Sequence, residues 1–382
     1  MTKTGAGVGA GAGVCARSIR TLAAAAALLC SNYSSAQQPA PTSAPASPLL
    51  FVCNQNDATI SVVDPDKGVV RVIDLKTKGF SANAKPHHIV VEPDGSFWYV
   101  TLIGDNRIAK FDRNDRLVAQ ATFETPGMMA LHPTADLLFV GRSMTAVNPP
   151  PRIGVLRRSD MKIDEVGVLF PRPHAMTVTP NGEHAYTASL AINQIAAVDV
   201  RTERVELTQV AGAPHALMQF AISPDGKLLA ISGELSARVL LFDATEPLKP
   251  KLIAEIPVEH QPFDPAFTPD GRTIVLGNKA ANTVTLIDVA SRKVSAVVRG
   301  AGIAQPHGVA ISPDSRFAYV TNNNLKGTGE HAMHNMVGGS QGGAAQPAGP
   351  GTVVVIDLVA RKIAKVIEVG HNASGIAITA VR

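Results

Sequence analysis

The sequence predicts an all-β protein, a seven-bladed β-propeller built from four-stranded antiparallel blades. Three observations carry this prediction. A proline-centred turn repeats every 40 to 47 residues, an Asp that ends a β-rich run follows several of these turns at a constant offset, and no long helical period interrupts them. Repeats of this length are typical of propellers, and four strands per repeat make one blade. A chain of 382 residues is long enough for one such array.

The first 36 residues have the pattern of a cleavable signal peptide. Three basic residues precede the apolar run LAAAAALL at 22–29, and small residues follow it. This run is much shorter than the roughly 20 apolar residues that cross a bilayer. We therefore expect cleavage after Ala36, no transmembrane span, and a periplasmic or secreted protein. A lipid anchor at Cys30 is the alternative, although leucines rather than small residues precede it.

Residues 37–48 are rich in Pro, Ala and Ser, and we expect them to form a flexible linker. Removal of residues 1–36 takes away three basic and no acidic residues, so the formal net charge falls from +4 to +1. Because the protein without residues 1–36 is nearly neutral, nucleic acid is the least favoured partner. A DNA-binding propeller is therefore third among the functions that we consider. Cys53 is the one cysteine left; it cannot form an internal disulfide, and we expect a buried thiol.

The two ends of the repeat region, 49–382, predict how the ring closes. Residues 50–64 resemble the second and third strands of a blade, whereas residues 374–381 (SGIAITAV) resemble a first strand with nothing after it. If the C-terminal strand is innermost in the N-terminal blade, six internal blades and one composite blade result. This closure leaves no exposed innermost edge, which favours it over an open solenoid or two smaller barrels.

Two markers define the internal blades. The turn proline recurs at Pro93, Pro133, Pro180, Pro224, Pro269 and Pro313. An Asp lies 19 residues after its proline at Asp112, Asp199, Asp243 and Asp288. Proline presets the backbone of the turn, and the Gly or Asn beside it tolerates positive φ. We expect the Asp residues, together with Asp64 and Asp357, to accept backbone N–H bonds in the turns that follow the strands.

The motif YVTN at 319–322, with YVT at 99–101 and the degenerate FVCN at 51–54, resembles the YVTN-family β-propeller repeat of the YncE-like type. The resemblance covers roughly residues 49–382. It implies a secreted or periplasmic seven-bladed propeller and specifies architecture more than chemistry. Related propellers include a DNA-binding type, lactonases and the haem-binding propeller of nitrite reductases.

Propeller topology places two sets of loops on one face, which we call the top face. These are the inter-blade loops, which lead into each first strand, and the hairpin loops between second and third strands. Six histidines fall in the inter-blade loops: His87, His174 and His307, each six residues before a turn proline and directly after a proline, and His215, His260 and His371. Imidazoles around an axis can ligate a transition metal, bind an anion when protonated, or act as a general base. They can equally hydrogen-bond a neighbouring blade.

Two insertions enter hairpin loops of the top face. The last blade carries residues 325–350, because Pro313 and Asp357 are 44 rather than 19 residues apart. This insertion contains His331, Met333, His334 and Met336. Imidazole and thioether groups suit a copper-like or other divalent metal, whereas an incidental surface loop is the alternative. A smaller insertion at 144–151 shifts the third strand of its blade to 152–158.

The sequence contains no haem-attachment motif, no phosphate-binding P-loop and no G-x-S-x-G nucleophile motif. We therefore favour a non-catalytic, monomeric scaffold that binds a ligand, metal or protein partner at its top face. The alternative is a metal-assisted, lactonase-like hydrolase. Resemblance to propeller lactonases implies carboxylate and amide ligands at the axis, for which Asn83, Glu259 and Asp264 are the candidates. The sequence alone does not decide between binding and catalysis.

Overall fold

The computed structural model describes residues 48–326 and 346–379, and they form seven four-stranded antiparallel sheets arranged as blades. We number the strands β1–β28 along the chain and give each blade from its innermost strand outward. Blade 1 consists of β28 (Ala373–Ile378), β1 (Leu50–Asn54), β2 (Thr59–Asp64) and β3 (Gly68–Asp74). Blade 2 consists of β4 (Pro86–Val91), β5 (Phe97–Leu102), β6 (Arg107–Asp112) and β7 (Leu117–Thr122).

Blade 3 consists of β8 (Pro126–Leu131), β9 (Leu137–Arg142), β10 (Arg152–Arg157) and β11 (Ile163–Gly167). Blade 4 consists of β12 (Pro173–Val178), β13 (His184–Ser189), β14 (Gln194–Asp199) and β15 (Val205–Gln209). Blade 5 consists of β16 (Leu217–Ile222), β17 (Leu228–Gly233), β18 (Arg238–Asp243) and β19 (Lys251–Pro257).

Blade 6 consists of β20 (Ala266–Phe267), β21 (Thr273–Asn278), β22 (Thr283–Asp288) and β23 (Lys293–Val298). Blade 7 consists of β24 (Pro306–Ile311), β25 (Phe317–Asn322), β26 (Thr352–Asp357) and β27 (Lys362–Glu368). Within the described ranges, the one helix is a single 3₁₀ turn, Leu75–Lys78. No helix in these ranges has the length and apolar character needed to cross a membrane.

The prediction of a seven-bladed, almost helix-free propeller is confirmed. The first strands of neighbouring blades contact each other in ring order, and β28 contacts both β24 and β4. The predicted closure is consistent with the pairing, because β28 pairs with β1 in antiparallel register from Leu50 opposite Ile378 to Asn54 opposite Ala373. Outside the sheet, Thr379 Oγ1 accepts a hydrogen bond from the backbone N–H of Leu49 at 2.9 Å.

Burial explains the sequence patterns of the strands. Second and third strands are packed between neighbouring blades on both faces, so they are nearly continuously apolar and buried, as in β25 and β26. Fourth strands lie on the outside, and β27 alternates exposed and covered residues. Between blades 1 and 2, Trp98 stacks on Phe111 at 4.1 Å between ring centroids. Cys53 is fully buried in the same cluster, as predicted.

The turns follow their predicted chemistry. The third residue of the proline turn has positive φ at Gly95, Gly226 and Gly271, and Ser315 takes the same conformation in blade 7. The Asp residues that end strands accept backbone N–H bonds from the following turn. This holds for Asp64, Asp112, Asp199, Asp243, Asp288 and Asp357. The structural role predicted for these carboxylates is confirmed.

Candidate functional site

Six of the seven first strands begin with a β-bulge at the top face; the exception among the described strands is the short β20 of blade 6. In blade 2 the register with the second strand shifts between Pro86 and Ile89, so His87 and His88 form the irregular step. The same shift occurs in blade 7 between Pro306 and Val309. A bulge re-aims the side chains of its residues. Two consecutive positions of one strand can therefore both contribute to the axial region.

A hydroxyl group on the second strand holds some of these bulges. Thr101 Oγ1 accepts the backbone N–H of His88 at 3.0 Å, and Thr321 Oγ1 accepts that of Gly308 at 2.9 Å. The hydroxyl of Thr321 also donates to the carbonyl oxygen of Ser374 in the adjacent first strand. The threonine of the YVT motif thus fixes the start of the first strand and, in blade 7, joins two blades.

The structure brings the three proline-flanked histidines of the inter-blade loops into one cluster. The rings of His87 and His307 meet edge to face with centroids 5.7 Å apart, and Phe263 packs on His307 at 4.9 Å. His174 lies close enough to both for its charge to influence their pKa values. We call the side chains of His87, His88, His174, Phe263, Asp264, Lys279 and His307 the axial cluster.

Burial keeps the imidazoles of the axial cluster neutral. It lowers the pKa of His87 to about 3 and the pKa values of His88 and His174 to about 4. It also lowers the pKa of His307 well below the usual 6.5, and repulsion from Lys279 acts in the same direction. Neutral imidazoles can accept or donate a hydrogen bond or ligate a metal, but they do not attract an anion by charge.

The hydrogen bonds of the rings define which nitrogen carries the proton. His174 Nδ1 donates to the carbonyl oxygen of Arg142 at 2.8 Å, which leaves the lone pair on Nε2. His88 Nδ1 accepts the backbone N–H of Met129 at 3.2 Å, so its proton is on Nε2. His87 Nδ1 accepts from the amide Nε2 of Gln55 at 3.0 Å, with the same result. The axial cluster therefore has hydrogen-bond donors, the Nε2–H groups of His87 and His88, and an acceptor, the Nε2 lone pair of His174.

His307 Nδ1 differs from these atoms. It is buried, it has no hydrogen-bond partner among the residues that the structure describes, and it lies 3.8 Å from Asp264 Oδ2. The two side chains are only 8% and 14% exposed. A buried polar atom without a partner costs stability, on the order of 1–3 kcal/mol. Such an atom is a feature that a bound ligand can satisfy.

An amine and a carboxyl group complete the cluster. Burial raises the pKa of Asp264 to about 7 and lowers the pKa of Lys279 to about 8. Lys279 Nζ lies over the Phe263 ring, 4.8 Å from its centroid. Glu234 and Asp264 both favour the charged form of Lys279. Near neutral pH this site therefore holds a carboxyl group and an amine that are both close to their titration points, which is a common property of functional groups.

Sequence reasoning missed Lys279 and Glu234, although a signal was present. Each follows a second strand directly and lies ten residues after its turn proline, Pro269 or Pro224. This position is in the hairpin loops of the top face, as Gln55 is in blade 1. Counting ten residues forward from each turn proline finds these polar side chains, just as counting six residues backward finds the histidines.

The other predicted histidines of the inter-blade loops are not part of the axial cluster. His215 uses both ring nitrogens locally, with Ser236 Oγ at 2.8 Å and the carbonyl oxygen of Ala211 at 3.1 Å. His371 Nδ1 contacts Asp57 Oδ1 at 3.0 Å across the closure of the ring. His260 is exposed on a loop.

The hydrolase candidates are separated as well. Asp264 belongs to the axial cluster, whereas Glu259 is bound by the guanidinium of Arg299 and by the hydroxyl of Thr283. Asn83 is exposed, and its backbone N–H donates to Ser81 Oγ. The structure therefore does not bring the three residues together as one set of ligands.

The predicted His/Met motif, His331, Met333, His334 and Met336, lies outside the described residues, as do the predicted signal peptide and most of the linker. The base of the insertion is described. Leu325 pairs with Pro347 in an antiparallel bridge, and Asn323 Nδ2 donates to the carbonyl oxygen of Ala373 at 2.7 Å. Among the described residues, no group of three His, Cys, Asp or Glu side chains has the spacing to hold a metal ion.

The comparisons with known proteins support the fold. No protein-family model matches the sequence, and no curated protein matches it. A functionally unknown protein from Desulfotomaculum acetoxidans DSM 771 has a similar crystal structure, with a TM-score of 0.67 and 13% sequence identity. The similarity covers 88% of this chain and all of the other. At this identity it is evidence for the architecture alone.

Proposed function

We propose that the chain is an exported propeller of the YVTN, YncE-like type that binds a small polar ligand at the axial cluster of its top face. The observation that carries the proposal is the unpaired, buried His307 Nδ1 among neutral imidazoles, a carboxyl group and an amine. Ligand sites are mostly apolar depressions with a few convergent polar groups, and perturbed pKa values mark such groups.

A divalent, copper-like metal is one ligand class that fits the donor chemistry. Neutral imidazole nitrogens of His174 and His307 are suitable ligands, and Asp264 offers an oxygen. Because no three such groups among the described residues are already spaced for one ion, metal binding requires a rearrangement of these side chains or further ligands. The His/Met motif at 331–336 is the source that we propose for further ligands.

Calorimetric titration of the full chain with copper(II), zinc(II) and nickel(II) tests this class. We expect His307→Gln to weaken binding by roughly tenfold or more, whereas the exposed His260→Gln should leave it unchanged. A variant lacking residues 331–336 separates the axial ligands from the insertion. Native mass spectrometry of the same proteins detects a small molecule that copurifies. If neither metal binding nor a copurifying molecule depends on His307, the proposed function is wrong.

A hydrolase is the second candidate, and the pKa of Asp264 is the observation that favours it. A carboxyl group with a pKa of about 7 is suited to general acid–base catalysis at neutral pH. A panel of lactones, assayed with and without divalent ions, tests this function. Activity that is lost in Asp264→Asn but kept in Glu259→Gln would place the axial cluster at the reaction centre. Absence of hydrolysis throughout the panel would leave binding as the function.

Export is part of the proposal and has its own test. Expression of the full chain in a Gram-negative host, followed by fractionation and N-terminal sequencing, should give periplasmic protein that begins after Ala36. A cytoplasmic protein that retains its first residues would contradict export without affecting the axial site. The same material, examined by light scattering, should be monomeric.

A further inference from the structure

We propose that a depression between blades 1 and 2, which we call the rim site, is a second binding site of the top face and takes a free α-amino acid with an uncharged, polar side chain. Its volume is about 350 Å³, which is within the usual range for small-molecule sites. It shares no residue with the axial cluster, so this inference goes beyond the proposed function. The rim site is lined by Gly79, Phe80, Ser81, Asp105, Arg107 and Gln120.

The connection from blade 1 to blade 2, residues 75–85, forms one wall of the rim site. It is the longest of the seven connections between blades. The 3₁₀ turn at its start ends at Gly79, whose φ of +92° glycine adopts without strain. The backbone N–H of Phe80 then donates to the carbonyl oxygen of Leu75 at 3.2 Å, and the centroid of the Phe80 ring is 6.5 Å from that of Phe111. These contacts hold the wall in place before any ligand binds.

The hairpin loop from β5 to β6 forms the opposite wall, and it is bonded to the first. Asp105 Oδ2 accepts the backbone N–H of Ser81 at 2.9 Å, and Asp105 Oδ1 accepts the hydroxyl of the same serine. The backbone N–H of Gly104 also donates to the carbonyl oxygen of Ala84 at 2.9 Å. Each oxygen of a carboxylate can accept more than one hydrogen bond. Asp105 is therefore fixed in position and retains acceptor capacity for a ligand.

Arg107 offers a cation whose hydrogen-bonding capacity is mostly unused. Among the described residues, its guanidinium donates only to the carbonyl oxygen of its neighbour Asn106, at 3.3 Å, and forms no ion pair. A guanidinium has five N–H donors in a planar fork that matches a carboxylate. Gln120 pairs with Ala109, two residues after Arg107, so the side chains of Gln120 and Arg107 point to the same face of blade 2. This is the face that packs on blade 1.

The rim site carries one positive and one negative side chain. Arg107 and Asp105 both line it, yet within the described ranges they form no ion pair with each other. A phosphate dianion would be repelled by Asp105, and a simple amine would leave Arg107 without a partner. A free α-amino acid has a carboxylate and an ammonium group on one carbon atom, so it can pair with both side chains at once. The other polar lining groups, Ser81 and Gln120, are uncharged, which favours an uncharged, polar side chain on the ligand.

Calorimetric titration of the full chain with L-glutamine tests the inference. Two analogues are titrated in parallel: glutaramate, which lacks the ammonium group, and 4-aminobutanamide, which lacks the carboxylate. We expect saturable binding of L-glutamine and binding of each analogue that is weaker by roughly tenfold or more, because each analogue leaves one charged side chain without its partner. Absence of saturable L-glutamine binding, or equal affinity for either analogue, would overturn the proposal.

Two arginine variants test the contact with the carboxylate. Arg107→Gln should weaken the binding of L-glutamine by roughly tenfold or more, and an unchanged affinity would overturn the proposal. Arg113→Gln is the matched control, because Arg113 is exposed in the turn between β6 and β7 of the same blade. It should bind L-glutamine as the wild type does.

Asp105→Asn separates ligand binding from a structural role. Asp105 also bonds to Ser81, and loss of that contact alone would weaken the binding of L-glutamine and of glutaramate equally. We expect only L-glutamine to be affected, because glutaramate has no ammonium group; an equal effect on both would overturn the amino-acid class. His307→Gln should leave L-glutamine binding unchanged, and its loss in this variant would contradict the separation of the rim site from the axial cluster.

Discussion

Lowering the pH from 7 to 5 should destabilise the folded protein by about 6 kcal/mol, and the buried histidines of the axial cluster are the cause. In the unfolded chain, histidine titrates near its usual pKa of 6.5, whereas in the folded protein the pKa of His87 is about 3 and the pKa values of His88 and His174 are about 4. His307 also titrates well below 6.5. Between pH 7 and pH 5 the unfolded state therefore binds more protons, and stability falls with the pH.

The size of the effect follows from the proton balance. Each histidine that is protonated only in the unfolded chain contributes about 2 kcal/mol over this interval, and the four histidines His87, His88, His174 and His307 together contribute about 8 kcal/mol. Asp264 acts in the opposite direction because burial raises its pKa to about 7. As the pH falls, the folded state binds this proton before the unfolded chain does. Asp264 therefore adds about 2 kcal/mol to the stability of the folded state between pH 7 and pH 5. A net loss of about 6 kcal/mol remains, which is a large part of a typical folding free energy.

Urea unfolding at the two pH values measures this difference. Trp98 is the only tryptophan, and its stacking on Phe111 makes its fluorescence a reporter of the folded core. In His174→Gln, whose amide can still donate to the neighbouring carbonyl group, the loss should shrink by about 2 kcal/mol. The exposed His260→Gln is the matched control and should behave as the wild type. Equal stability at pH 7 and pH 5, or an unchanged loss in His174→Gln, would refute the assignment of neutral, buried histidines.

Three further outcomes concern the packing around the axis. A Cβ at Gly141 would overlap the carbonyl oxygen of His174, so Gly141→Ala should lower the free energy of unfolding in urea by about 1–3 kcal/mol. Gly167→Ala is the control and should be nearly neutral, because a Cβ there meets no described atom within 4 Å. Thr321→Val removes the hydroxyl that joins two first strands, and unfolding should show a loss of about 1–3 kcal/mol; an unchanged midpoint would contradict this role. Deletion of the chain from Ala373 onward removes β28 and exposes the edge of β1, so size-exclusion chromatography should show aggregates; a soluble folded monomer would contradict the closure.

The blades were predictable because their determinants are local. A proline turn such as the one at Pro313, and an Asp such as Asp357 that accepts N–H bonds two and three residues later, are complete within a few residues. The predicted third strand of blade 3, residues 152–158, agrees closely with β10. Repetition of such local rules around the ring then determines the fold.

The axial cluster was only partly predictable, because it combines two loop registers and a bulge. Counting six residues back from the turn proline predicted His307. Asp264, one residue after the equivalent position in blade 6, was predicted as a hydrolase ligand instead. Lys279 reaches the cluster from a hairpin loop between a second and a third strand. The histidines were predicted from the inter-blade loops, so that count does not find Lys279. His215 contacts Ser236, and His371 contacts Asp57; both partners lie in other loops. Pairings of this kind depend on three-dimensional proximity, which spacing along the chain does not encode.

The pairing of β28 with β1 has a consequence for the time at which the protein can fold. Residues that are more than 300 positions apart become neighbours, as Leu49 and Thr379 do. Until the segment from Ala373 onward has been synthesised, blade 1 lacks its innermost strand and presents an open edge to other chains. Closing a loop of this length is also entropically costly and slow. The strand that completes the first blade is thus made after all the other blades, and the growing chain must remain protected from aggregation until then.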